Sequence, residues 1–225
     1  MEIKVQKSEL LKRITLGVNI AASKPSTLPI LNNFLLETQK EGKLKIVATD
    51  MEVGISTLLP VEVLQEGSIT VPARKFFDII KELPDGNVEI SVTKNNTVNI
   101  KAGKSSFKIL GLDKEEYPKL PEFELEGAIE VEQAVIKESL LLTSFAISHD
   151  ETRYVLNGVL LCIQGNQIRF VATDGRRLAF YKKETKQKNN KSVEMIIPSK
   201  TIHELLKLLG WESMVKIVCA QNQSY

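Results

Sequence analysis

One half of the chain repeats the other. Leu31-Asn32-Asn33-Phe34-Leu35-Leu36-Glu37 returns as Leu156-Asn157-Gly158-Val159-Leu160-Leu161-Cys162, 125 positions on. Leu44-Lys45-Ile46-Val47-Ala48-Thr49-Asp50 returns as Ile168-Arg169-Phe170-Val171-Ala172-Thr173-Asp174 at an offset of 124. Val71-Pro72-Ala73-Arg74-Lys75 returns as Ile197-Pro198-Ser199-Lys200-Thr201 at 126. Val88-Glu89-Ile90-Ser91-Val92 pairs with Val215-Lys216-Ile217-Val218-Cys219 at 127, and Ile3-Lys4-Val5 with Ile129-Glu130-Val131 at 126. The order is kept and the offset drifts only across turns. Self-similarity of this kind marks a duplicated structural unit, here of about 126 residues. The chain divides into unit one, 1–126, and unit two, 127–225.

Both copies follow one grammar. A short alternating strand opens each, then an amphipathic helix, over 8–22 with Leu10, Leu11, Ile14 and Val18 on one face, and over 133–148 with Ile136, Leu140, Leu141 and Phe145 facing the core. Two strands follow, joined by Glu41-Gly42 or Gly165-Asn166, and a third over 54–59 or 178–182. A strand ending in Pro leads into a second helix, with Phe76, Phe77, Ile80 and Leu83, or Ile202, Leu205, Leu206 and Leu209, turned to a core. In copy one, two more strands meet at Asn95-Asn96, and a last strand covers 106–110. The expected fold class is α+β: antiparallel sheet with two helices on one face, repeated. Residues 221–225 align with 94–98, at a hairpin turn, so the second copy reads as incomplete and the chain as a piece of a longer protein.

Catalytic chemistry has no foothold in these residues. The two histidines, His149 and His203, have no nucleophile pattern beside them. Gly103-Lys104-Ser105 imitates the end of a phosphate loop, but Val98 stands where that loop needs Gly. Asp50 and Asp174 recur in different copies, at the ends of strands, and read as turn residues. Cys162 and Cys219 sit in apolar runs without metal-ligand spacing, as buried thiols of a reducing cytosol. No cofactor or metal is expected. The N-terminus lacks a signal-peptide pattern, and no apolar run reaches the 18 or so residues of a membrane helix. Thirty basic against 28 acidic residues leave +2, too balanced for an openly basic nucleic-acid binder, which typically has a domain pI above about 9. Basic residues are strewn along the helices, among them Lys12, Arg13, Lys75, Lys81, Lys137, Lys200 and Lys207, with Lys24, Arg74 and Arg153 in or beside loops. Duplication sets helices on a common side, so modest patches add into one positive surface.

Four stretches carry a resemblance. They are Thr27-Leu28-Pro29-Ile30-Leu31-Asn32, Val71-Pro72-Ala73-Arg74-Lys75-Phe76-Phe77-Asp78, Arg153-Tyr154-Val155-Leu156-Asn157-Gly158 and Val171-Ala172-Thr173-Asp174-Gly175-Arg176-Arg177-Leu178-Ala179. Together they make the whole chain resemble the bacterial sliding clamp family, the beta subunit of DNA polymerase III. The resemblance implies a DNA-clamp fold with three units per subunit, of which the third is absent here. It implies two subunits closed head to tail around duplex DNA, helices lining the hole, and a non-catalytic processivity factor of DNA replication in the cytoplasm. The alternative is an interaction module of the same fold that does not encircle DNA.

By resemblance, Lys24, Arg153 and Tyr154 match DNA-contacting positions, and Arg74 and Lys200 at the helix starts join that surface. Leu156, Thr173, Gly175, Arg176, Arg177 and Leu178 match one wall of a pocket that takes peptides of the polymerase and the clamp loader. Lys75, Ile79, Phe107 and Ile109 match the dimer contact. Val155 stands where the family often has a second aromatic residue, and Arg176 where many members carry His.

Overall fold

A computed structural model describes residues 1–21, 28–121, 128–150, 152–220 and 223–224, with the backbone alone at 186–191, 219–220 and 223–224. It divides into two compact units, Met1–Leu120 and Pro121–Tyr225.

Unit one runs β1 (Glu2–Gln6), α1 (Lys7–Ala21), a 3-10 turn (Pro29–Asn32), β2 (Asn33–Gln39), β3 (Lys43–Thr49), β4 (Gly54–Pro60), β5 (Glu62–Gln65), β6 (Ser68–Pro72), α2 (Ala73–Glu82), β7 (Asn87–Val92), β8 (Thr97–Ala102) and β9 (Ser105–Leu110). The strands form two antiparallel sheets, in the orders β4-β3-β2-β6 and β5-β1-β7-β8-β9. Strand alternation sends Phe34, Leu36, Leu44, Ile46 and Ala48 to the core side, where Leu10, Ile14, Val18, Phe76 and Ile80 of the two helices meet them. Phe34 and Phe76 pack edge to face, centroids 6.5 Å apart. β6 stops at Pro72 and α2 begins at the next residue, because proline fixes φ and has no amide to extend the ladder. β5 was not expected from the sequence: at four residues it is too short to show a period.

Unit two runs β10 (Ile129–Glu132), α3 (Gln133–Thr143), 3-10 turns at Ser144–Ala146 and Tyr154–Leu156, β11 (Gly158–Thr173), β12 (Leu178–Pro198), α4 (Ser199–Leu208), β13 (Met214–Ile217), β14 (Cys219–Ala220) and β15 (Gln223–Ser224). β11 is continuous where two strands were expected; its register breaks on either side of Gly165, which takes a left-handed φ of 59°. Its pairing with β12 reproduces unit one at the sequence offsets. Asn33↔Pro72 of β2 and β6 becomes Gly158↔Pro198, and Thr49↔Gly54 of β3 and β4 becomes Thr173↔Leu178. Both units are therefore α+β, with sheets and two helices each.

The first helix of unit two departs from expectation. α3 stops at Thr143, five residues short, and Leu141 and Phe145 lie outside the core, 50% and 59% exposed. Ile136, Leu140 and Thr143 hold the buried stripe, and the 3-10 turn then swings Ala146 and Ile147 inward in Phe145's place. The buried Ser139 and Thr143 hydroxyls donate to the carbonyls of Val135 and Ser139, at 2.5 and 2.7 Å, so their burial leaves no orphan donor.

Candidate nucleic-acid and partner interfaces

A loop built on Thr and Asp follows β3 in unit one and β11 in unit two. In unit two, Thr173 Oγ1 donates to the Arg177 carbonyl at 2.7 Å and accepts from the Gly175 amide at 3.1 Å. Asp174 Oδ1 accepts from the amides of Arg176 and Arg177 at 2.9 and 3.0 Å. Unit one repeats this bond for bond: Thr49 with Val53 and Met51, Asp50 with Glu52 and Val53, between 2.8 and 3.1 Å. The residue after Asp is left-handed in both, Met51 at φ 76° and Gly175 at φ 86°. Glycine accepts that geometry without the steric cost a Cβ brings. These amide bonds, then the Arg177 side chain, pull the Asp174 carboxyl down to about 2.

The loop displays the residues after it. Arg176, Arg177 and Leu178 are all exposed, Leu178 by 65%. Arg177 Nε holds Asp174 Oδ2 at 3.0 Å, and its guanidinium lies 5.6 Å from the Phe145 ring centre. Phe145 thus belongs to this surface, although its apolar character assigned it to the core; only the early end of α3 brings it here. Arg153 pairs with Asp150 at 3.6 Å, and its Nη1 lies 3.3 Å from where a Cβ on Gly175 would stand. Five of the six expected pocket residues, Thr173 to Leu178, thus share one loop. Leu156, half-buried, ends the 3-10 turn that follows Arg153.

The expected DNA-contacting residues fall on several elements. Lys24 lies outside the described residues. Tyr154 is 79% exposed, and Val155 beside it is exposed too. Arg74 opens α2, ion-paired with Asp78 at 3.3 Å with its guanidinium 6.0 Å from Phe77. Lys200 opens α4 and is half-buried. Two basic helix residues do structural work instead. Lys7 Nζ donates to the Leu83 carbonyl at 2.5 Å and Lys137 Nζ to the Leu209 carbonyl at 2.6 Å, so each ties down the end of its unit's second helix.

Of the expected dimer residues, Lys75 and Phe107 are exposed and Ile79 half-buried. Ile109, also expected there, is 3% exposed and packs in the unit-one core, where alternation along β9 turns it inward between exposed Lys108 and Leu110. β9 is an edge strand of its sheet.

Two family models match the chain in order. Residues 1–121 match the N-terminal domain of the DNA polymerase III beta subunit, and residues 130–225 its central domain. The beta sliding clamp of Chlamydia pneumoniae is 36% identical over 198 residues, 87% of this chain and 53% of that protein. That of Halalkalibacterium halodurans is 36% identical over 219 residues, covering 92% and 57%. The crystal structure of the Bacillus subtilis DNA polymerase sliding clamp superposes with a TM-score of 0.95 at 32% identity, over 100% of this chain and 61% of that one. The DNA polymerase III subunit beta of Pseudomonas aeruginosa does so at 0.92 and 34%, with the same coverage. The chain thus spans between half and two thirds of the length of these relatives.

Proposed function

The chain belongs to the DNA polymerase III beta subunit family, and on that premise we propose that it supplies units one and two of a sliding clamp that encircles duplex DNA and tethers the replicative polymerase. The observation that carries this reading is the ordered match of both domains over a structurally repeated chain. A clamp holds DNA by topology and works without catalytic groups. Its contacts with DNA need only be weak, sequence-independent attraction to phosphates, which permits sliding. A net charge of +2 suits that demand. Arg74 and Arg153 suit it as well: exposed ion pairs such as theirs contribute about 0–1 kcal/mol, so a phosphate displaces Asp78 or Asp150 at little cost.

In this reading Lys24, Arg74, Arg153, Tyr154 and Lys200 meet DNA. The Leu156–Leu178 surface is one wall of a pocket for the polymerase and the clamp loader. Lys75, Ile79, Phe107 and Ile109 serve the homodimer of a three-unit, cytoplasmic subunit. Reversing charge at Lys24, Arg74 and Arg153 tests it. The slope of log affinity against log salt for duplex DNA becomes shallower by about 0.9 for each phosphate the protein no longer neutralises. A slope unchanged by all three reversals overturns the DNA contacts and leaves an interaction module. Encirclement is read separately, with the three-unit subunit, as retention on circular DNA that ends when the circle is cut.

A further inference from the structure

In unit one the chain crosses from β4 to β6, the two edges of a four-stranded sheet. The matching crossing of unit two lies inside β12, where offsets of 124 before it and 126 after it align 58–65 with 182–191. The unit-one crossing works for the fold. Leu59 is buried, Val61 and Val63 pack against the core, and β5 pairs with β1, Val63 opposite Ile3. Its one charged residue is Glu62.

In unit two the crossing reads Lys182-Lys183-Glu184-Thr185-Lys186-Gln187-Lys188-Asn189-Asn190-Lys191, without an apolar residue. Tyr181 and Val193 on either side pack against the unit-two core, and the sequence between them has nothing to add to it. The ladder slips here as well. Gly165 pairs with Asn189 and Gln167 with Glu184, so Thr185 to Lys188 stand against Asn166 alone, and the surplus residues bulge from the β11 register. Five lysines and one glutamate give these ten residues a formal charge of +4. The chain as a whole is +2, so everything outside the crossing sums to −2. Lys182 is exposed and stands opposite Arg169 in the register. Lys183 is tied back: its Nζ lies 3.2 Å from Glu138 Oε2, which also accepts from the Tyr181 hydroxyl at 2.8 Å.

Like charges at this density repel one another, and no core packing offsets the repulsion. A polyanion relieves it, and the composition selects which one. Every cation in the crossing is lysine, a mobile point charge that neutralises phosphate without the fixed fork by which arginine grips a single carboxylate. There is no aromatic residue to stack unpaired bases and no apolar residue to anchor a peptide. We propose that the crossing 182–191 is a further, sequence-independent binding segment for duplex DNA, meeting phosphates through Lys182, Lys186, Lys188 and Lys191. It is separate from the DNA contacts proposed above. It needs no encirclement, and so acts on the open chain as well as on a closed ring.

The test uses the 225-residue chain and a fluorescein-labelled linear duplex of about 20 base pairs. The variant carries Lys182→Gln, Lys186→Gln, Lys188→Gln and Lys191→Gln, which remove no apolar packing, and its fold is checked by circular dichroism. At about 50 mM salt its affinity falls at least tenfold, and the slope of log affinity against log salt becomes shallower by up to about 3.6, or 0.9 for each of four phosphates. Arginine at the same four positions keeps both. An unchanged slope overturns the proposal. So does a loss confined to polyglutamate with duplex affinity intact, which assigns the crossing to an acidic protein segment. Reversal of Lys24, Arg74 and Arg153 is measured alongside. A slope that responds to those three and not to the four lysines upholds the function proposed above and overturns this site; the opposite response upholds this site alone. A second measurement needs no variant. Duplex DNA slows chemical acetylation of Lys186, Lys188 and Lys191 at least threefold, while Lys101 and Lys108 of unit one react as before. Uniform slowing, or none at the crossing, overturns the proposal as well.

Discussion

At the level of single residues, the repeat preserves bonding as well as identity. Asp50 and Asp174 were legible as turn residues because each follows a strand, and both accept two backbone amides at one carboxylate oxygen. A carboxyl held at about 2 in the folded chain, against about 3.9 unfolded, stabilises the fold fully above pH 4. That contribution disappears as pH falls from about 4 through 2, because the folded form is the one that resists protonation. Comparing thermal unfolding of the chain with that of Asp174→Asn reads this out. The wild-type midpoint is the higher at neutral pH, and the two curves converge between pH 4 and 2. Curves that stay parallel down to pH 2 would show that the loop gains nothing from the charge. Gly158 marks the opposite case, where identity is not preserved. A Cβ there falls inside contact distance of the Ile197 carbonyl oxygen, whereas Asn33 at the matching position keeps its side chain and donates to Thr70 Oγ1 at 3.0 Å.

Among the helices and strands, helix phase was legible and helix ends were not. Leu10 and Ile14, or Ile136 and Leu140, recur at the spacing of one face and are buried. No capping residue or Gly announces the stop at Thr143; the change to a 3-10 turn is set by the fit of Ala146 and Ile147 into the core. The lysine ties show how an element's end is secured without sequence equivalence. Lys7 aligns with Gln133, yet the carbonyl after α4 is held by Lys137, one turn further along α3, while Gln133 Oε1 takes the Gly210 amide at 2.8 Å. Lys137 also lies 5.1 Å from the ring of Trp211, the chain's single tryptophan. Replacing Lys137 with Met is expected to change the Trp211 emission and to lower unit-two stability by about 1 kcal/mol, the usual net worth of one such hydrogen bond. An emission spectrum identical to wild type would rule out the stacked arrangement.

Across the whole molecule, each unit's core is assembled from its own residues, 1–109 in one and 129–209 in the other. Phe34→Ala should therefore cost unit one about 3–5 kcal/mol, and Phe170→Ala the same in unit two. Hydrogen exchange checks this by element: Phe34→Ala exposes the amides of β2 and β3 and leaves those of β11 protected, and Phe170→Ala does the reverse. Loss of protection in both units from either change would mean that the cores are not separate. The duplication, the α+β class and the register of equivalent strands follow from the order of amino acids alone, because constant spacing along the chain and period-two burial are local properties. Family resemblance was legible for the same reason, carried by contiguous motifs. Three outcomes needed the folded chain: Ile109 faces the core, Phe145 faces the surface, and Tyr117 and Leu120 close one unit's sheet. Each depends on which distant segment returns to cover a face, and the covering of Gly54 by Leu120, 66 positions away, has no periodic signature.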